Sequence, residues 1–70
     1  MVFKPMRRRA VAKALAGAGC PVIREGGGHT VYGCPCGDHE APLPRHKHIT
    51  AGVVKAIGDQ MACLPKGWLQ

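Results

Sequence analysis

Three consecutive glycines, Gly26-Gly27-Gly28, constrain this chain more than any other feature of its sequence. Glycine is costly inside a helix or strand, so we expect the run to form a turn. The extended segments on either side, residues 20–24 and 29–32, then become the two strands of a hairpin. A third strand covers residues 40–43, where Pro42 permits pairing on one side only and therefore indicates an edge.

Apolar residues at helical spacing lie on both sides of this strand region. Between residues 6 and 18 they form one stripe, and Gly19 ends the helix as a left-handed residue. A second helix begins after Thr50, which can cap it while Ile49 packs on Val54. The order predicts an α+β domain of α-β-β-β-α type, in which a three-stranded antiparallel sheet carries both helices on one face.

The 70 residues are enough for one small domain, because a chain of this size buries only about 60% of its unfolded surface. We place the domain at residues 6–64, an N-terminal extension at 1–5 and a loose C-terminal tail at 65–70. No run approaches the ~20 apolar residues of a membrane span. The apolar stretch after the N-terminal arginines is interrupted by Lys13, which disfavours an export signal. We therefore expect a cytoplasmic protein with reduced thiols.

A strong positive charge narrows the choice of partner. Ten Lys/Arg against four Asp/Glu give a net charge of +6, which favours a nucleic acid, an anionic membrane surface or an acidic protein. Aromatic residues are too few for a module that stacks single-stranded bases on its sheet. The cations that we expect to contact phosphate are Arg7, Arg9, Lys13, Arg45, His46 and Lys47. The alternative is that they form ordinary solvated charge.

His29, which follows the glycine run, is the candidate catalytic residue. RNA carries its own nucleophile, the 2′-hydroxyl, so cleavage needs only a proton acceptor and a proton donor, and histidine serves as either near neutral pH. Backbone N–H groups of Gly27 and Gly28 can stabilise charge on the phosphate. This scheme requires no metal and no cofactor. The alternative is an exposed histidine beside a turn, while Tyr32, on the opposite strand face, is expected in the core.

The cysteines leave three interpretations open. Cys34 and Cys36 are separated by one residue, which is tighter than the usual spacing of a zinc-binding pair. Cys20 and Cys63 have no neighbouring partner in the sequence. Histidines near the cysteine pair are His39, His46 and His48. We expect free thiols and no metal, with a zinc site or a disulfide as the alternatives.

Taken in order, these motifs resemble the HicA family of small bacterial mRNA interferase toxins, over residues 6–61. The matching pieces are the first helix, Gly19-Cys20, Arg24-Glu25, Gly27-Gly28-His29-Thr30-Val31-Tyr32, Pro44-Arg45-His46 and Ile49-Thr50-Ala51-Gly52. The resemblance implies a double-stranded-RNA-binding-like fold, cleavage of mRNA, inhibition by a HicB-type acidic antitoxin, and an essential histidine at position 29. The family often has Ser or Asn at position 28 and a second His at position 30. The turn at residues 34–37 departs from the polar type usual in the family.

Two other classes of function fit the same residues. A non-catalytic RNA-binding module would use the cationic surface and would not need His29. A small zinc-stabilised interaction domain would need the cysteines instead.

Overall fold

The computed structural model describes residues 3–65 and 67–70. The elements in chain order are β1 (Met6–Arg7), α1 (Arg8–Gly17), β2 (Val22–Glu25), β3 (His29–Gly33), β4 (Glu40–Pro44), β5 (His48–Ile49) and α2 (Ala51–Gln60). The α+β class is confirmed: two helices accompany a three-stranded antiparallel sheet, in a layout compatible with α-β-β-β-α.

The sheet has the order β2-β3-β4, so the strand that begins at His29 lies in the centre. Its register pairs His29 with Pro44 and Thr30 with Leu43 on one side. On the other side Thr30 pairs with Glu25, after a bulge nearer the start of β2. As predicted, β4 is an edge strand, and its two prolines occupy an edge where a missing N–H is tolerated.

A two-stranded ribbon, β1 with β5, was not predicted. Met6 pairs with Ile49 and Arg7 with His48, so Met6 belongs to a strand rather than to the first helix. The helix begins at Arg8, two residues later than expected. Because the pairing is antiparallel, α1 and α2 begin at opposite ends of the ribbon.

One core joins both helices to one face of the sheet. Its fully buried side chains are Val11 and Leu15 of α1, Val54 and Ile57 of α2, Leu43 of β4, Ile49 of β5, and Met61. Thr50 caps α2 as expected, since its side chain accepts a hydrogen bond from the Val53 N–H at 3.4 Å. The left-handed residue after α1 is Gly19, with φ +83°.

The C-terminal segment packs on the core, so the expectation of a loose tail was wrong for its described part. Leu69 is buried in the core, and the Phe3 ring lies over Gly58 of α2. The Gln70 side chain also donates to the Lys4 carbonyl at 2.7 Å. Residues 1, 2 and 66, which belong to the expected extension and tail, lie outside the described residues. Within the described chain, neither helix has the length and apolarity that crossing a membrane requires.

Candidate nucleic-acid interface

His29 is exposed at the first position of the central strand. The Gly26 N–H donates to the His29 carbonyl at 2.8 Å and closes the turn immediately before it. Because side chains alternate along a strand, the imidazole leaves the sheet on the face opposite to Thr30 and Tyr32. Tyr32 is buried in the core as predicted, which leaves His29 as the accessible titratable group of β3.

The fold does not require glycine at positions 27 and 28. Neither has a positive φ, and a Cβ built at either position would meet nothing of the described chain within 4 Å. Gly19 and Gly37 differ, because both have a φ above +80° that disfavours side chains. The open space around Gly27 and Gly28 therefore leaves a bare backbone that a ligand can approach closely.

A chain of hydrogen bonds fixes two arginines at this end of the sheet. The Glu25 carboxylate accepts from Arg45 at 2.6 Å and from the Thr30 hydroxyl at 2.9 Å. That hydroxyl accepts in turn from Arg8 at 3.0 Å. The Arg45 backbone N–H also donates to the Gly28 carbonyl at 3.3 Å. The residue that follows β4 is therefore hydrogen-bonded to the glycine turn.

Glu25 is ionised in this network. Hydrogen bonds from Arg45, and next from Thr30, lower the pKa of its carboxyl group below the ordinary value. The carboxylate positions cations rather than accepting a proton near neutral pH. Neither Glu25 nor Arg8 was among the predicted site residues. A three-residue turn over Gly26–Gly28 would pair Glu25 with His29, whereas the observed turn, closed between Gly26 and His29, pairs Glu25 with Thr30.

The two cationic segments of the sequence meet in space. Pairing of β1 with β5 is extended by a hydrogen bond from the Arg8 N–H to the Lys47 carbonyl at 2.9 Å. Beside this hydrogen bond the surface has a shallow depression, which is lined by Arg7, Arg8, Arg9 and Lys47. Lys13 is exposed one helical turn beyond Arg9, and His46 is exposed beside Arg45. Of the predicted phosphate contacts, Arg7, Arg9 and Lys47 therefore lie together at this depression.

The cysteines are arranged differently from the expected free thiols. Cys34 and Cys63 are joined by a disulfide, although 29 residues separate them in the sequence. Cys36 is a free, exposed thiol beside that bond. Cys20 is a free thiol in the core, where burial, and secondarily the nearby Cys36, raise the pKa of its thiol.

No protein-family model, curated protein or solved structure matches this chain. Any assignment of function therefore depends on the residues of the chain and their geometry. Within the described residues, reactive side chains lie at both ends of β3: His29 at its start and the cysteine cluster after its end.

Proposed function

We propose that this chain is the toxin of a bacterial toxin–antitoxin pair, a HicA-like mRNA interferase that acts in the cytoplasm. His29 serves as the general acid or base of an endoribonuclease that needs no metal for the chemical step. The observation that carries the proposal is the exposed imidazole directly after an unobstructed glycine turn, at the sheet end where Arg8 and Arg45 are held in place.

The reaction follows from the chemistry of RNA. His29 takes the proton of a 2′-hydroxyl, and the oxygen attacks the adjacent phosphorus while the bond to the 5′-oxygen breaks. The leaving 5′-oxygen receives a proton from solvent water, His29 returns its proton to the solvent, and the products are a 2′,3′-cyclic phosphate and a 5′-hydroxyl. One positioned acid–base group contributes about 10²- to 10⁴-fold to such a rate. A slow enzyme of this kind suffices for a toxin.

Cationic and backbone groups have the complementary role of holding the phosphate. A Cβ at Gly27 or Gly28 would stand in open space beside His29, and a phosphate that approaches this bare backbone can accept hydrogen bonds from its N–H groups. Arg45 and Arg8 supply positive charge at the same end of the sheet. The depression at Arg7–Arg9 and Lys47 extends this charge, so that a strand longer than one nucleotide binds.

The products of cleavage test the proposal. We expect the purified chain to cut a single-stranded RNA and to leave cyclic phosphate and 5′-hydroxyl ends. An otherwise identical RNA with a 2′-deoxy sugar at the cut position should remain intact, because it lacks the nucleophile. Cleavage of the deoxy substrate, or 3′-hydroxyl and 5′-phosphate ends, would contradict the mechanism.

A non-catalytic RNA-binding module is the second candidate. It is favoured by the size of the cationic region, which extends well beyond the surroundings of His29. This candidate predicts salt-dependent RNA binding with no cleavage by the wild-type chain. The same RNA assay therefore separates the two functions.

A further inference from the structure

A second cluster of reactive side chains follows the end of β3 opposite to His29. It consists of the disulfide sulfurs of Cys34 and Cys63, the thiol of Cys36 and the imidazole of His39. One potential metal-binding atom from each residue lies within 4.8 Å of those of the other three. The proposed RNA chemistry uses none of these residues.

The β3–β4 turn positions three of the four groups. The Cys34 N–H donates to the His39 carbonyl at 2.8 Å, and the Gly37 N–H donates to the Cys34 carbonyl at 2.9 Å. Gly37 makes the reversal with φ +84°, a conformation that favours glycine. Within this turn the Cys36 sulfur lies 3.2 Å from Nδ1 of His39.

The fourth group comes from the segment after α2. Met61 is buried in the core and its carbonyl accepts from the Leu64 N–H at 3.0 Å, which forms a turn around Cys63. This turn brings the Cys63 sulfur to 3.3 Å from that of Cys36. Sequence spacing gives no sign of this approach, because Cys63 lies in a different part of the chain.

We propose that, in the reduced protein, these four residues bind one Zn²⁺ as a Cys₃His site. Three thiolates and an imidazole are one of the usual ligand sets of structural zinc. With Zn–S near 2.3 Å and Zn–N near 2.0 Å, tetrahedral geometry places the ligand atoms about 3.5–3.8 Å apart. The sulfur of Cys36 is already 2.9 Å from that of Cys34 and 3.3 Å from that of Cys63, so the change needed around it is less than about 1 Å.

A disulfide alone does not account for the cluster. The Cα atoms of Cys34 and Cys63 are 7.5 Å apart, beyond the usual range of roughly 4.4–6.8 Å for disulfides. The disulfide also gives no role to Cys36 and His39, which converge on it. In addition, the Asp38 N–H donates to the Cys36 sulfur at 3.5 Å, a contact that favours a metal-bound thiolate.

Zinc would tie the β3–β4 turn to the end of α2, across 29 residues of sequence. The free energy of zinc binding would add directly to the free energy of folding, which a small core alone keeps low. The disulfide form is the oxidised, metal-free state of the same four residues. A phosphine reductant returns it to the thiol state by breaking the S–S bond: water supplies the oxygen of the phosphine oxide and the protons of the two thiols.

Zinc binding by the full chain tests the inference. After reduction with a phosphine in the absence of oxygen, we expect one zinc per chain to remain bound after dialysis. Co²⁺ in its place should give the visible absorption of a tetrahedral thiolate site. Saturating zinc should raise the unfolding temperature of the reduced protein by about 10 °C or more.

Variants separate zinc from a plain disulfide, because only zinc needs Cys36 and His39. C36A and H39A should each lower zinc affinity by at least about 100-fold, whereas the controls C20A and H48A should keep it. If C36A does not fold, C36H and H39C supply other zinc ligands at the same positions and should retain binding. Reduced wild-type protein without stoichiometric zinc, or C36A and H39A with wild-type affinity, would overturn the site. Neither result depends on RNA cleavage.

Discussion

At the scale of single residues, Glu25 organises the proposed RNA site. Its carboxylate joins Arg45 directly to Arg8 through the Thr30 hydroxyl. The ion pair with Arg45 is solvent-exposed, so it orients the Arg45 side chain more than it stabilises the fold. Two cations are thereby held at the end of the sheet where β3 begins.

The titration of Glu25 tests this network. Since the ionised form is favoured in the folded protein, its pKa should lie below the ordinary value, and R45A should raise it. The contribution of Glu25 to stability is then present above the pKa of the unfolded chain and is lost as the pH falls through the folded-state pKa. Carboxyl chemical shifts followed by NMR provide the measurement. R24A, which removes the partner of Glu40 instead, is the control; equal Glu25 pKa values in R45A and wild type would refute the network.

At the scale of elements, the fold does not require glycine at position 28, and the proposed function gives this position the role of leaving the backbone open to phosphate. G28A should leave the free energy of unfolding unchanged or raise it by about 0.4–1 kcal/mol, because a Cβ fits there. Cleavage of RNA should nevertheless fall at least about tenfold, as the methyl group obstructs the backbone approach to phosphate. G52A in α2, where a Cβ also meets nothing within 4 Å of the described chain, is the matched control and should keep full activity. Full activity of a folded G28A would contradict the role of the turn.

The elements that the sequence predicted are those with strong local signals. Helix stripes, the Thr50 cap, the Gly19 stop and the glycine hairpin are all encoded within a few neighbouring residues. The β1–β5 ribbon was missed because strands of two residues have no periodicity. The approach of Cys63 to Cys36 and the burial of Leu69 depend on packing between distant segments. For the same reason, the sequence indicated His29 and both cationic segments but not their common location.

At the scale of the whole molecule, β3 separates two sites. The His29 end carries the cationic region and the proposed RNA chemistry, while the cysteine cluster at the other end joins the sheet to the C-terminal segment. This separation has an experimental consequence, because a chelator can unfold a zinc-stabilised toxin without any metal taking part in catalysis. The chemistry of the RNA ends therefore reports on the mechanism more directly than sensitivity to EDTA.

The proposed antitoxin has to cover the same surface as RNA. An acidic HicB-type protein bound over His29, some of residues 7–9 and part of residues 45–48 would exclude RNA by occupying its cationic contacts. We expect the antitoxin to displace labelled RNA from H29A, which binds without cutting, at a one-to-one ratio. Displacement should weaken at high salt. A complex that holds both partners at once, with the side chain at position 29 open to solvent, would contradict this interface.

The most direct test of the account is RNA cleavage by H29A beside H48A. Both histidines are exposed on strands, so either substitution should preserve the fold, which circular dichroism can verify. We predict that H29A loses at least about 100-fold in cleavage rate while H48A keeps at least half of the wild-type rate, as only His29 follows the glycine turn. A folded H29A that cuts RNA at the wild-type rate would contradict the assignment of His29 as the catalytic residue.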